Sequence, residues 1–140
     1  ILSASGNTPM GEAVELAINS LERRKAAYKA SGVDYYQPWL VLMTDGQPNG
    51  NNLVLQQQVA RVAHMAETKK LTVFPIGIGS GANMDVLAWF SPGRSPLRLQ
   101  GLKFSEFFSW LSKSVSRVSQ STPGDKVTLD VDGIRGWAEL

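Results

Sequence analysis

Two short apolar runs, each followed by small or polar residues, constrain the fold of this chain more than any other feature. The first run, WLVLM at residues 39–43, leads into Asp45, and the second, LTVFPIGIG, spans residues 71–79. Apolar runs of this length without polar alternation are typical of strands buried on both faces. Pro75 in the second run cannot donate a ladder hydrogen bond, which predicts a bulge or a locally unpaired backbone.

Helical patterns flank and separate the two runs. Thr8 is predicted to be an N-cap, with Pro9 at the first position of a helix that ends at a Ser-Gly pair. Asn52 and Asn83 are predicted to open two further helices. In the last helix one apolar stripe is predicted, made of Phe104, Phe107, Phe108, Leu111, Val115 and Val118.

The alternation of helices and strands predicts an α/β fold. We expect a Rossmann-like, three-layer arrangement in which helices cover both faces of a mostly parallel sheet. A short strand is also expected near residues 96–99. The 140 residues fit one domain, which we assign to residues 1–120. Residues 121–140 are interpreted as a tail or a short added strand.

Composition excludes several classes of function. Cysteine is absent and His64 is the single histidine, so disulfides, thiolate zinc sites and histidine-rich metal centres are ruled out. Fourteen basic residues against 12 acidic ones give a net charge of +2, and no nucleic-acid partner is expected. No apolar run approaches the ~20 residues that span a bilayer, and no signal peptide is visible. We therefore expect a cytoplasmic protein with no membrane partner.

Asp45 raises the question of function, because it ends an apolar strand with no basic side chain nearby in sequence. Ligands of parallel α/β sheets bind at the carboxyl ends of the strands. Thr8, at a helix N-terminus, can reach the same edge. Two interpretations remain open at this point. Either Asp45 caps the GQPNGNN turn and Thr8 caps its helix, or the two residues meet a cation.

Two alternative functions, nucleotide binding and metal-dependent hydrolysis, have less support in the sequence. The segment GIGSGA at residues 77–82 follows a strand and precedes a helix, as a phosphate-binding loop does, but it lacks the full glycine fingerprint. A metal-dependent hydrolase needs clustered carboxylates or histidines. Asp85 is the nearest candidate companion of Asp45. Asp125, Asp130 and Asp132 lie in a tail that lacks the calcium-loop pattern.

Three segments together, SASGNTPMGEAVELA, WLVLMTDGQPN and VFPIGIGSGANMDVL, strongly resemble the second half of a von Willebrand factor A domain. Among these domains the chain looks most like the bacterial TerY-like group, which is linked by name to tellurium resistance. The resemblance implies a non-enzymatic module with a metal-ion-dependent adhesion site, usually occupied by magnesium. It also implies that Thr8 and Asp45 are metal ligands and that a partner protein supplies an acidic residue to the metal.

The family's Asp-x-Ser-x-Ser motif is not found in the chain; Ser3-Ala4-Ser5 offers two hydroxyls without the leading aspartate. The resemblance therefore implies a domain that lacks the N-terminal strands. We expect weak or no magnesium binding by this chain alone. We also expect either a separate N-terminal half as a partner or self-association through an exposed sheet edge.

Overall fold

The computed structural model describes residues 9–99 and 103–123, which form four helices and three strands. Their order along the chain confirms the alternation expected from the apolar patterns. The elements are α1 (Met10–Ala30), β1 (Trp39–Thr44), α2 (Asn52–Glu67), β2 (Thr72–Ile78), α3 (Met84–Phe90), β3 (Leu97–Leu99) and α4 (Lys103–Ser119).

The three strands form one parallel sheet in the order β1-β2-β3. Trp39 pairs with Thr72, and the register continues without interruption to Thr44 and Gly77. Within the described residues β1 pairs with β2 alone, so β1 is an edge strand. Residues 39–43 are consequently only half-buried. The expectation that this run is buried on both faces was wrong in degree, because an edge strand keeps one flank open.

Helices cover both faces of the sheet, which confirms the three-layer α/β prediction. On one face α1, α2 and α3 pack around a cluster that includes Val14, Val62 and Phe90. On the other face α4 packs around Phe74 and Phe107. The side chains of β1 alternate between these clusters: Leu40 and Leu42 contact the first, and Trp39, Val41 and Met43 contact the second. This alternation is the period-two geometry of a strand.

Pro75 lies in the central strand without a bulge. Backbone groups of successive strand residues point to opposite neighbours. The Gly79 N–H donates to Leu99 O on the β3 side, so Pro75, four residues earlier, also faces that side. The β2–β3 pairing begins only at Ile76 and Leu97. The missing N–H therefore falls where β3 has not yet begun. The bulge prediction was wrong, and the prediction of a locally unpaired backbone is confirmed.

Aromatic side chains fill the core beneath α4. The Phe74 ring lies edge-on to Trp39 at 5.2 Å and to Trp110 at 5.7 Å between ring centroids. The Arg94 guanidinium lies 4.6 Å from the centre of the Phe74 ring, a cation–π contact. Desolvation by burial lowers the pKa of Arg94 from its ordinary value, yet arginine remains cationic at neutral pH.

The buried face of α4 is not the stripe expected from its sequence. Phe107 and Trp110 are buried, whereas Phe108 is 47% exposed and Val115 is 48% exposed. The side chain of Phe104 lies outside the described part of the structure. The buried Ser114 continues the face at helical spacing. The apolar stripe predicted from the sequence is thus rotated around the helix axis relative to the face that packs, and Phe107 is the buried residue that both share.

The helix starts agree with prediction to within one residue. Asn83 caps α3 by accepting a hydrogen bond from the Val86 N–H. In α2 the cap is Asn51, one residue before the predicted Asn52, and it accepts from the N–H groups of residues 53 and 54. Pro9 holds the N-cap position of α1 and not the first helical position, with no side-chain cap bond. Thr8 lies outside the described residues.

Candidate functional site

The loop after β1 presents the exposed carboxylate of Asp45 at the carboxyl edge of the sheet. Thr44 is buried at the end of the strand, and its Oγ1 accepts a hydrogen bond from the Gly46 N–H at 3.3 Å. Asp45, between them, is exposed. Within residues 9–99 and 103–123 no hydrogen bond or ion pair engages its side chain. The helix that follows the GQPNGNN turn is capped by Asn51 and not by Asp45.

A second loop, after β2, is joined to the Asp45 loop by three hydrogen bonds. The Asn83 N–H donates to Gly46 O at 3.2 Å. The Asn83 side-chain amide donates to Gln47 Oε1 at 2.8 Å, and the Gln47 amide donates to Gly81 O at 3.4 Å. Because Asn83 also caps α3, its side chain ties the start of that helix to the loop that carries Asp45. The two loops therefore form one connected edge.

The glycines of the GIGSGA segment have packing and backbone roles. A Cβ on Gly77 would lie 2.3 Å from Met84 Sδ, and a Cβ on Gly81 would lie 2.9 Å from Asp45 O. Gly79 adopts a positive φ of 71°, which glycine tolerates without strain, and its carbonyl accepts a hydrogen bond from Arg98. The three glycines are therefore explained by the structure of the segment. Residues 77 and 81 lie too close to α3 and to the Asp45 loop for a Cβ, and residue 79 needs a positive φ.

The start of α1 reaches the same edge. Pro9 forms a parallel bridge with Asn49, four residues after Asp45. The Glu12 carboxylate accepts a hydrogen bond from the Asn51 N–H at 2.8 Å. Pro9 follows Thr8 directly, so the described structure brings the residue next to Thr8 against the loop that contains Asp45. The position of Thr8 itself lies outside the described residues.

The remaining candidates stay apart from Asp45. Asp85 is exposed in the first turn of α3, and no hydrogen bond joins it to the Asp45 loop. His64 is exposed on α2. Asp125, Asp130 and Asp132 fall outside the described residues. Across the part of the chain that the structure describes, no cluster of three or more His, Cys, Asp or Glu side chains is suited to hold a metal.

Asp45 and the Asn83 cap were predicted from the sequence. The residues whose hydrogen bonds hold the loops at the carboxyl edge together were not predicted. Glu12 and Gln47 act across gaps of 39 and 36 residues. Such contacts leave no periodic signal. The only local hint was the glycine at position 50, which has a φ of 90° and lies against Glu12.

The described residues form a three-layer α/β domain with a parallel sheet, which is a Rossmann-like fold. Family comparison defines it further: the model of the von Willebrand factor type A domain matches residues 1–95. The chain is therefore a member of the von Willebrand factor type A domain family. Comparison with curated proteins and with solved structures gives no match. Among the described residues no helix has both the length and the apolarity needed to cross a bilayer.

Proposed function

We propose that this domain is a non-enzymatic protein-binding module that contacts an acidic residue of its partner through a magnesium-type cation. Asp45 and Thr8 would hold the cation. The observation that supports this most is the exposed, unengaged Asp45 carboxylate at the carboxyl edge. The loop around it is fixed by bonds to the neighbouring loop. A free carboxylate in a rigid loop suits ligand binding, because little ordering is needed on association.

The donor chemistry fits a hard cation. Magnesium prefers oxygen ligands, usually one or two carboxylates, and retains several waters. The Asp45 carboxylate and the Thr8 hydroxyl are such donors, and the partner's carboxylate would replace a water. Two protein oxygens are few for a stable site, so binding by this chain alone is expected to be weak. The likeness to the TerY-like group extends the proposal to a cytoplasmic role in tellurite or stress response.

Asp45→Asn is expected to weaken magnesium binding at least about tenfold, since changes even in outer-shell partners typically cost that much. The substitution removes the charge and keeps the shape. MgCl2 is titrated into isotope-labelled protein while the amide signals of Gly46 and Gln47 are followed by NMR. Saturable shifts in the wild type that disappear in Asp45→Asn and weaken in Thr8→Ala support the proposal.

The matched control is Asp85→Asn, which removes a carboxylate from the first turn of α3 and is expected to leave the titration unchanged. Equal binding by wild type and Asp45→Asn contradicts the metal role of Asp45.

A second titration contains excess acetate as a mimic of the partner's carboxylate. Acetate is expected to tighten magnesium binding, because coupling between two ligands is reciprocal. An acetate effect that persists without magnesium contradicts a metal-mediated contact.

The open edge of β1 supports a second mode of association, in which two copies of the domain pair through this strand. The Thr72 N–H donates to Pro38 O, so the backbone groups of residues 38, 40 and 42 face β2. Those of residues 39, 41 and 43 consequently face away from it. The strand carries neither lysine nor proline, the residues that usually protect an exposed edge from pairing.

Val41→Pro is expected to abolish such pairing while the fold is retained. The substitution removes an N–H that faces the open edge and leaves the ladder with β2 intact. Sedimentation over a range of concentrations is expected to show a dimer for the wild type and a monomer for Val41→Pro. Circular dichroism confirms that the variant is folded. A wild-type monomer at all concentrations, or a folded variant that still forms a dimer, contradicts pairing through β1.

A further inference from the structure

Glu12 joins the first turn of α1 to the turn that precedes α2. Its Oε1 accepts a hydrogen bond from the Asn51 N–H at 2.8 Å. Asn51 is the N-cap of α2, and Glu12 lies in the first turn of α1. The carboxylate therefore lies near the positive ends of two helix dipoles, where a negative charge is stabilised. One side chain thus fixes the starts of both helices.

The second carboxylate oxygen of Glu12 is enclosed by the chain. Oε2 is buried and has no hydrogen-bond partner among the described residues. A Cβ on Gly50 would lie 2.7 Å from Oε2 and 3.0 Å from Oε1, and Gly50 has a φ of 90°. The turn thus closes directly over the carboxylate, and its positive φ favours glycine at position 50. An unpartnered buried oxygen costs stability, which offsets part of what the hydrogen bond from Asn51 and the two helix dipoles contribute.

The same turn is held against α1 at two more points. Pro9 bridges Asn49, and Gly11 approaches the backbone of Leu55 closely enough that a Cβ would lie 2.6 Å from it. Residues 49–51 continue directly from the Asp45 loop. Their position against α1 therefore sets the position of that loop relative to the start of α1, where Thr8 precedes Pro9.

We propose that Glu12 is a positioning residue for the Asp45 edge: it holds residues 49–51 against α1 and so fixes the Asp45 loop relative to the N-terminus of that helix. This inference rests on the proposed function for its purpose. The contact by which Glu12 holds residues 49–51 against α1 does not require a bound metal. Glu12 contacts no ligand directly in this scheme; it acts through Asn51 and Gly50.

The inference is tested by NMR on the metal-free protein with Glu12→Ala, Glu12→Gln and the control Glu15→Ala. Glu12→Ala removes the acceptor, and the Asn51 amide is expected to exchange with solvent about tenfold faster. The amide signals of residues 45–47 are expected to shift as well. Glu12→Gln keeps an acceptor oxygen and is expected to restore both. Glu15, three residues later on α1, is expected to have no effect when replaced.

Two results overturn the inference. One is an Asn51 amide that stays protected in Glu12→Ala. The other is a set of shifts confined to residues 49–51, which would show that the turn does not control the Asp45 loop. Glu12→Gln keeps the Oε1 acceptor without the charge. If Glu12→Ala fails to fold, the amide exchange and the signal shifts of Glu12→Gln still test the role of Glu12. A Glu12→Gln protein that shows the exchange and shifts expected of Glu12→Ala also counts against the role.

Magnesium titration of the same proteins separates this inference from the proposed function. A wild type that binds no magnesium even with excess acetate contradicts a metal-mediated contact made by this chain alone, and the metal-free result then decides the role of Glu12. If the wild type binds, Glu12→Ala is expected to bind about tenfold more weakly, the loss typical of residues that orient metal ligands. Glu12→Gln is expected to recover most of this affinity. Unchanged affinity in a Glu12→Ala protein whose Asn51 amide is exposed overturns the positioning role.

Discussion

Gly11→Ala is expected to destabilise the domain by about 2 kcal/mol, although alanine is normally the better helix residue. In an open helix the change stabilises by up to about 1 kcal/mol. Here the new Cβ would lie 2.6 Å from both N and Cα of Leu55 and 3.0 Å from the carbonyl carbon of Val54. Those atoms are backbone and cannot rotate away. Whole helices must separate, and such overpacking costs about 1–3 kcal/mol or more.

Urea denaturation of Gly11→Ala measures this effect, with Gly93→Ala as the matched control. A Cβ on Gly93 meets nothing within 4 Å, so that variant is expected to stay within about 0.5 kcal/mol of the wild type. A Gly11→Ala protein as stable as Gly93→Ala would show that α1 and α2 do not approach as closely as described. Because α1 also carries Glu12, the same variant is expected to shift the amide signals of the Asp45 loop.

Phe107→Ala and Phe108→Ala are expected to differ strongly although the two residues are adjacent. Phe107 is 0% exposed and packs from α4 into the cluster that contains Phe74, whereas Phe108 is 47% exposed. Loss of a fully buried phenylalanine typically costs about 3–5 kcal/mol. Among the described contacts, Phe108 makes an edge-on contact with Phe107 at 5.5 Å between centroids, and such a pair is worth about 0.5–1.5 kcal/mol. Thermal and urea denaturation of the two variants, measured side by side, gives the comparison.

The two phenylalanine variants distinguish the structure from the sequence pattern. The apolar stripe predicted from the sequence treats both residues as core and implies similar losses. The structure implies a difference of about 2 kcal/mol or more between them. Equal losses would mean that α4 is rotated towards the predicted stripe, which would place Trp110 further from Phe74.

The fold was largely predictable because each element carries its own local signal. The apolar runs gave β1 and β2, and the capping residue Asn83 gave the start of α3. The face of α4 was not predictable in the same way. Its sequence offers more apolar residues than one face can bury, and the choice depends on the aromatic rings that Phe74 and Trp39 present from the sheet. The periodicity of a helix does not reveal which side chains the sheet presents to it.

The site was predictable only in part for a related reason. Asp45 was visible because a charge at the end of an apolar strand has no local explanation. Glu12 looked like an ordinary acidic residue in the first turn of a helix. Its role comes from contact with Asn51 and Gly50, which are distant in sequence. A single sequence does not reveal which first-turn carboxylate reaches across to another loop.

Pro75 has a consequence for how the chain tolerates change over evolution. Since no N–H is available at that position, β3 cannot lengthen towards its own start by pairing further along β2. The connection between Ser91 and Pro96 is thereby uncoupled from the register of the sheet. A change in the length of this connection would not require a change in the alignment that Ile76 and Leu97 define, provided that Arg94 keeps its contact with the Phe74 ring. One imino acid in the central strand thus marks where the ladder with β3 begins and separates that ladder from the connection before it.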